Sequence, residues 1–349
     1  MAKRITIEMV AQKAGVSRGT VDRVINQRPH VRKDQYDKVM EAIRELGYIP
    51  KKRQAQALGI AITEKPVCRL GVVMPTRNPY YMNEVKQGIH DAQAQLVDYG
   101  VEIITEQISA SPYPEEIAEL MERIIARGAD GMAICAMDCE QAAKKIDHLQ
   151  EQGVPVITFD SDIRSGRMLF YGNDSSKTGR VAGQLMAKYV KPDRHIIVGV
   201  GNKEIPGHMS RADAFIDTMK AAGFPDRNLI LIETYDDYTL TYKKVREALL
   251  ADGDIAGIYM ASHNLTGCMD AVRSTGKETS PIVIYTDMNE RVYRYLKSGE
   301  LAFCVTPNIY MMVYRTLIIL KEYLIDHKVP PAREIFTDIQ IVCKENADV

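Results

Sequence analysis

The sequence lacks the features that would carry it into or across a membrane. No apolar run approaches the roughly 18–20 residues that a membrane helix needs. The most apolar stretch, Ile309 to Ile325, is interrupted by Arg315, Lys321 and Glu322. The opening Met-Ala-Lys-Arg-Ile-Thr has no apolar segment leading to a small-residue cleavage site, so no secretory leader is expected. Cysteine is sparse, with six residues and no CxxC pair, as in a reduced, bacterial cytoplasmic chain. Enzyme motifs are missing as well. There is no P-loop, G-x-S-x-G or H-E-x-x-H, and Gly199-x-Gly201 lacks the third glycine of a dinucleotide fingerprint. The histidines are scattered without metal-ligand spacing, so neither a metal nor a cofactor is expected.

What is present fits a chain of two or three domains. It has 349 residues, and 46% apolar with 26% charged content excludes disorder. The net charge of −1 conceals an asymmetry: residues 1–59 carry 13 Lys and Arg against 6 Asp and Glu, whereas the rest carries 32 against 40. A basic head on an acidic body points to a polyanionic partner for the head.

The head reads as three short helices. Thr6 caps the first, which ends at Ala14 before a Gly15 turn; Ser17 caps the second, Arg18 to Asn26, with Val21, Val24 and Ile25 facing inward. A third runs from Lys33 to Leu46 and stops at Gly47. Helix, glycine turn and helix make a helix-turn-helix, whose second helix enters the major groove of double-stranded DNA. Arg18 is then the candidate for a guanine edge, Gly19 permits close backbone approach, and Ser17, Thr20, Arg23 and Asn26 face the phosphates.

These residues carry a resemblance. Val10-Ala11, Ala14-Gly15-Val16-Ser17, Thr20-Val21, Arg23-Val24, Asn26, Val31 and Gly47-Tyr48-Ile49-Pro50 resemble the DNA-binding head of the lactose-repressor family along its whole length. One departure is Asp22, where the family has Ser; a carboxylate there repels DNA unless Arg18 or Arg23 neutralises it. The resemblance also implies that the linker, residues 51–66, holds a hinge helix that wedges a Leu into the minor groove. The usual register falls on Ala57, and Leu58 is the candidate wedge.

From residue 67 onward, short apolar runs alternate with amphipathic stretches, the pattern of a doubly wound α/β protein with parallel sheets. There are too many strands for one sheet, so two lobes are expected. The fold class is therefore an all-α helix-turn-helix domain plus two doubly wound parallel-sheet lobes. Ligands of such sheets bind beyond the carboxyl ends of the strands. Those positions are rich in aromatic, carboxylate and amide residues, a set suited to a polyhydroxylated ligand.

The stretches "VVMPTRNPYYMNEVKQGI", "RGADGMAI", "GVPVITFDSD", "YGNDSSKTGRVAGQLMAKYV", "SRADAF" and "VIYTDMN" resemble type I periplasmic sugar-binding proteins, nearest to the ribose-binding branch. That resemblance implies an effector site built from Asn78, Tyr80, Tyr81, Asp160, Arg211 and Asp287. Asp237 stands where an aromatic is expected, so Tyr235 or Tyr238 could supply the ring; His263 replaces an amide, Thr306 a Gln, Cys135 an Asn and Ser161 an Arg. Loss of that Arg favours a neutral or cationic polyol over a sugar phosphate.

The expected division is a head at 1–50, a linker at 51–66 and an effector domain at 67–349. Its first lobe comprises about 67–172 and 308–334, its second about 173–307 and 335–349. The function implied is a transcriptional regulator, by precedent a repressor, binding a two-fold operator as a homodimer under control of a small sugar or polyol. A regulator sensing a phosphorylated metabolite or a protein partner is the alternative. An α/β enzyme and a transport binding protein fit less well.

Overall fold

The computed structural model describes residues 6–26, 28, 31–46, 48, 68–276 and 280–347. Gly47, Ala57 and Leu58 therefore lie outside the described residues, and with them the expected linker helix.

The head is three helices around one small core. Helices α1 (Ile7–Ala14), α2 (Arg18–Ile25) and α3 (Lys33–Leu46) pack Val10, Val21, Val24, Ile25, Val39 and Ile43 together, with Tyr36 and Leu46 at the edge. Met40 and Ala42 join this core, beyond the expected inward face of α3. Thr6 Oγ1 accepts from the Met9 amide at 3.3 Å and Ser17 Oγ from the Thr20 amide at 3.1 Å, so each helix start is satisfied by the side chain before it. Gly15 has φ +65°, a left-handed turn that lets α2 fold back across α1.

The body contains two six-stranded sheets. The first is built from β1 (Cys68–Met74), β2 (Val101–Gln107), β3 (Gly131–Ile134), β4 (Val156–Asp160), β5 (Leu169–Gly172) and β11 (Glu334–Phe336), in the order β11-β5-β4-β3-β1-β2. The second is built from β6 (His195–Val200), β7 (Leu229–Glu233), β8 (Ile255–Met260), β9 (Ile282–Thr286), β10 (Phe303–Pro307) and β12 (Ile339–Val342), in the order β12-β10-β9-β8-β6-β7. All pairings are parallel except β10 with β12. The central strands are buried along nearly their whole length, which is why they read as continuous apolar runs rather than alternating ones.

Helices cover both faces. Around the first sheet lie α4 (Pro79–Leu96), α5 (Pro114–Ala126), α6 (Glu140–Glu151) and α12 (Ile309–Leu324); around the second lie α7 (Ser175–Tyr189), α8 (Pro206–Ala221), α9 (Tyr238–Ala251), α10 (Leu265–Ser274) and α11 (Glu290–Ser298). Helix α12 is the apolar stretch around Ile309–Ile325. Its Met312, Val313, Leu317 and Leu320 are buried against α4 and the first sheet. Among the described residues no helix is long and apolar enough to cross a membrane.

The chain passes between lobes after β5, after β10 and after β11. The third passage corrects an expectation. A lobe boundary at residues 334 and 335 falls inside β11, whose Ile335 pairs with Tyr171 and Phe336 with Gly172. The crossing sits instead at Thr337 and Asp338, between β11 and β12. Strands β5, β11 and β12 are all short edge or next-to-edge elements, three or four residues long, and none was anticipated from the sequence.

Candidate functional site

The exposed face of α2 carries Arg18 and Gly19 in its first turn and Arg23 in its last, with Thr20 half-buried beside them. A Cβ at Gly19 would meet only the Ser17 hydroxyl, at 3.7 Å, so the protein interior does not require glycine there. Arg18 Nη1 lies 2.9 Å from Glu8 Oε1, and both side chains are largely exposed. Such a surface pair contributes little and opens readily toward a stronger anion. Asp22 is not held by Arg18 or Arg23, as the sequence reading had required. Instead it accepts from Asn26 Nδ2 at 2.9 Å and faces Arg28 Nη1 at 3.4 Å. The cation that offsets this carboxylate thus comes from beyond the helix end.

A cleft of about 640 Å³ opens between the two lobes. Its lining includes Asn78, Tyr80, Tyr81, Asp160, Arg211, His263, Asp287 and Thr306, eight residues named from the sequence. The fold explains their convergence: each lies at the carboxyl end of a strand or in the segment that leads from it into the next helix. Asn78 caps α4, its Oδ1 accepting from the Tyr81 amide at 3.0 Å. This cap turns Tyr81 toward the floor, where its hydroxyl donates to Asp160 Oδ2 at 2.9 Å. Burial pushes the Tyr81 phenol well above its usual range, so it stays a donor.

Arg77 completes the wall of the first lobe and was not singled out from the sequence. Its Nη1 lies 2.9 Å from Asp160 Oδ2, its Nη2 donates to Ser161 Oγ at 2.9 Å, and the guanidinium lies 4.7 Å over the Tyr81 ring. The guanidinium that seemed lost at position 161 is thus supplied from position 77. Burial, the largest single influence, acts to lower the Arg77 pKa, but the acidic groups around it, Asp160 foremost, together raise it, so the guanidinium stays charged. Beneath them Cys135 is fully buried, its thiol pushed up to about 11 chiefly by that burial.

In the second lobe Arg211 Nη1 lies 3.7 Å from Asp287 Oδ2 and donates to the Ala261 carbonyl at 3.3 Å. Its Nε is buried and has no hydrogen-bond partner among the described residues. Gly179 of α7 makes this placement possible, because a Cβ there would lie 2.1 Å from the Arg211 carbonyl oxygen. One turn on, Phe215 is buried and stacks on Tyr259 at 4.5 Å. The Arg-x-x-small-Phe spacing therefore puts one end of a helical turn in the cleft and the other in the core.

Three expectations are corrected. Asp237 does not line the cleft: it is exposed and caps α9, its Oδ1 accepting from the Leu240 amide at 2.7 Å. Tyr235 is 61% exposed and supplies no ring to the cleft, and Tyr238 donates to Asp270 Oδ2 at 3.0 Å on the outer face. Beside them Asp236, also passed over in the sequence, is left-handed at φ +54° and packs against Gly201, where a Cβ would come within 2.4 Å of the carboxylate; it is not among the residues lining the cleft. His208, also missed, lines the cleft, with its Nδ1 accepting from the Asn202 amide at 3.2 Å. Glu84 lines it too, and burial raises its carboxyl. Among the described residues no cluster of His, Cys, Asp and Glu could hold a metal ion.

Comparison with known proteins agrees with both halves of this picture. Residues 6–51 match the family of bacterial regulatory proteins, lacI family, and residues 70–328 match a periplasmic binding protein domain. Catabolite control protein A of Priestia megaterium is 26% identical over 70% of each chain, and that of Staphylococcus aureus is 25% identical over 54% of each. The matched region thus spans about half the length of the Staphylococcus relatives. Among solved structures, an arabinose binding protein from Geobacillus stearothermophilus superposes with a TM-score of 0.71 at 22% identity, covering 81% of this chain and 98% of its own. A periplasmic ribose ABC transporter from Conexibacter woesei gives 0.73 at 18% identity, over 82% and 95%. At those identities the solved structures establish the two-lobed fold. With a helix-turn-helix head joined to that fold, the chain belongs to the lacI family of bacterial regulatory proteins: it is a DNA-binding transcriptional regulator with a periplasmic binding protein domain.

Proposed function

We propose that this regulator binds a two-fold operator as a homodimer and is controlled by a neutral sugar or polyol held between its lobes. In this reading residues 1–50 are the DNA-binding head, with Arg18 reading a base and Thr6, Ser17, Gly19, Thr20, Arg23 and Asn26 seating the helix on the backbone. Residues 51–66 are the linker, with Leu58 as its wedge. Ligand binding draws the lobes together and changes the spacing of two heads across the dimer. By linkage, whatever factor the ligand applies to DNA affinity, DNA applies to ligand affinity. Precedent in the family favours a repressor that its ligand releases.

The observation that carries the ligand class is the matched charge of the cleft. Arg77 faces Asp160 and Arg211 faces Asp287. Each cation is already neutralised, and Glu84 adds a further carboxyl. Such a site offers paired donors and acceptors to hydroxyls, with no spare positive charge for a phosphate. Names among the relatives and neighbours, catabolite control, arabinose and ribose, are in keeping with a carbohydrate signal.

The test is a thermal-shift panel of monosaccharides, polyols and their phosphates, followed by operator binding with each hit. A ligand at 100 times its Kd stabilises the fold by about 2.7 kcal/mol, a readily visible shift. Hits among neutral sugars that also change operator affinity support the reading. Hits confined to phosphates would replace it with the phosphorylated-effector alternative.

A further inference from the structure

The exposed side of α2 is not uniformly cationic. Asp22 is the one acidic residue in its sequence, Arg-Gly-Thr-Val-Asp-Arg-Val-Ile. It stands four residues after Arg18, so the two side chains share one face of the helix a turn apart. Val21, Val24 and Ile25 point away from that face, into the core of the head. A carboxylate brought up to DNA is repelled by the phosphates of every sequence alike, unless it gains a partner on a base.

Asp22 is oriented for such a partner. Its Oδ1 accepts from Asn26 Nδ2 at 2.9 Å, and the same amide also donates to the Asp22 carbonyl at 2.9 Å. Its Oδ2 faces Arg28 Nη1 at 3.4 Å. Arg28 is itself fixed at the helix end, where its backbone amide donates to the Arg23 carbonyl at 2.8 Å. One neighbour thus aims the carboxylate and the other offsets its charge, while the Asp22 side chain stays 43% exposed. An ionised carboxylate offers about four acceptor sites, so about two remain for a donor outside the protein.

We propose that Asp22 reads a base, accepting a hydrogen bond from the N4 amino group of an operator cytosine. The chemistry of the major groove selects that base. Guanine presents only acceptors there and thymine an acceptor beside a methyl group, so neither pairs with a carboxylate. Adenine presents its amino group next to the N7 acceptor, which a carboxylate repels, whereas cytosine presents the amino group alone. One helical turn advances about 5.4 Å and base pairs lie about 3.4 Å apart, so this cytosine is about one or two base pairs from the base that Arg18 reads. The inference rests on the proposed placement of α2 in the groove with Arg18 as a reader.

The experiment is operator selection from a random pool with the full-length chain and its Asp22→Ala, Asp22→Asn and Arg18→Ala variants, followed by competition binding against single-base changes. Circular dichroism checks that each variant folds. The parent chain is expected to prefer cytosine at a position in each half-site by about tenfold or more. Asp22→Ala is expected to reduce that preference to about twofold or less, while the base relaxed by Arg18→Ala stays selected. Asp22→Asn keeps the shape and adds a donor, so it is expected to move the preference toward adenine, whose N6 and N7 an amide can pair. A carboxylate that only holds Asn26 and Arg28 gives a different result. Asp22→Ala then changes affinity for all sequences by one factor and leaves the selected site as it was, which overturns the proposal. If Arg18→Ala relaxes a position and Asp22→Ala relaxes none, the role of Asp22 falls alone. If neither variant alters the selected site, the placement of α2 falls with it.

Discussion

Asp160 and Asp287 occupy equivalent places in the two lobes. Asp160 ends β4 and Asp287 follows β9, and each of those strands is third in its sheet. Both residues are left-handed, at φ +59° and +76°, a conformation uncommon outside glycine. Each faces an arginine that comes from the segment after the corresponding strand, Arg77 beyond β1 and Arg211 beyond β6. The backbone turn aims each carboxylate back across the strand ends into the cleft. Two copies of one arrangement thus confront each other, and a ligand between them is gripped by the same chemistry from both sides.

Asp287→Ala should abolish the effector response and spare operator affinity, because Asp287 lies in the cleft and the operator is read by α2. Operator titrations with and without the best ligand of the panel would measure this. A normal response would move the site out of the cleft.

Arg77→Met should weaken effector binding more than Ser161→Ala does. Arg77 reaches both Asp160 and Ser161, and its loss leaves a half-buried carboxylate with only the Tyr81 hydroxyl and the Cys135 thiol. The cost of an unpaired charged group there is of order 1–3 kcal/mol. Calorimetry on the two variants decides it, and equal losses would deny Arg77 its role.

Arg18→Ala should cost about 1–3 kcal/mol on an operator selected from a random pool and relax the choice of one base pair. The pair with Glu8 is exposed, so its loss should leave thermal stability almost unchanged. Competition binding against single-base operator variants tests this. An unaltered preference would remove Arg18 from the readers.

His208 gives stability a pH dependence. Burial, the largest influence, lowers its folded pKa beneath the ordinary value of 6.5, and the Asn202 amide donates to its neutral ring nitrogen. With a depressed histidine pKa, the unfolded chain takes up the proton first as pH falls. The contribution of His208 is therefore complete above about pH 6.5 and declines below it. Urea midpoints at about pH 5.5 and 7.5 should differ less in His208→Gln than in the parent chain. An unchanged difference would place the dependence on other groups.

Operator affinity should fall steeply with salt, with a log–log slope of about −3 or steeper if several phosphates are neutralised. A slope near zero would make the basic head incidental to binding.

Much of this regulator was legible in its amino-acid order. Caps, glycine turns and 3.6-residue periodicity are local, so the three head helices follow from Thr6, Gly15, Ser17 and the valines between them. Buried central strands announce themselves as apolar runs, so β1 and β6 could be bounded from sequence with the same ends that the structure shows, and the half-buried edge strand β7 could be bounded too, through its unbroken Leu-Ile-Leu-Ile run. The edge strands β11 and β12 bury too little to leave such a mark, and β5, though buried, is only four residues long; the third lobe crossing moved with β11. The site was legible wherever its residues follow strong strands. It was misread where two adjacent carboxylates divide their work: Asp237 caps a helix, and Asp236 turns inward against Gly201. Which of the two does which depends on a left-handed φ, and composition does not encode that. Arg77 shows the same limit from the other side. A guanidinium on a long side chain can reach Asp160 from a residue far away in sequence, so an arginine absent from one position is restored from another by the fold alone. Sequence determined the kinds of groups and the elements that carry them; tertiary structure decided which groups meet, because contact between distant residues is set by how strands and helices pack.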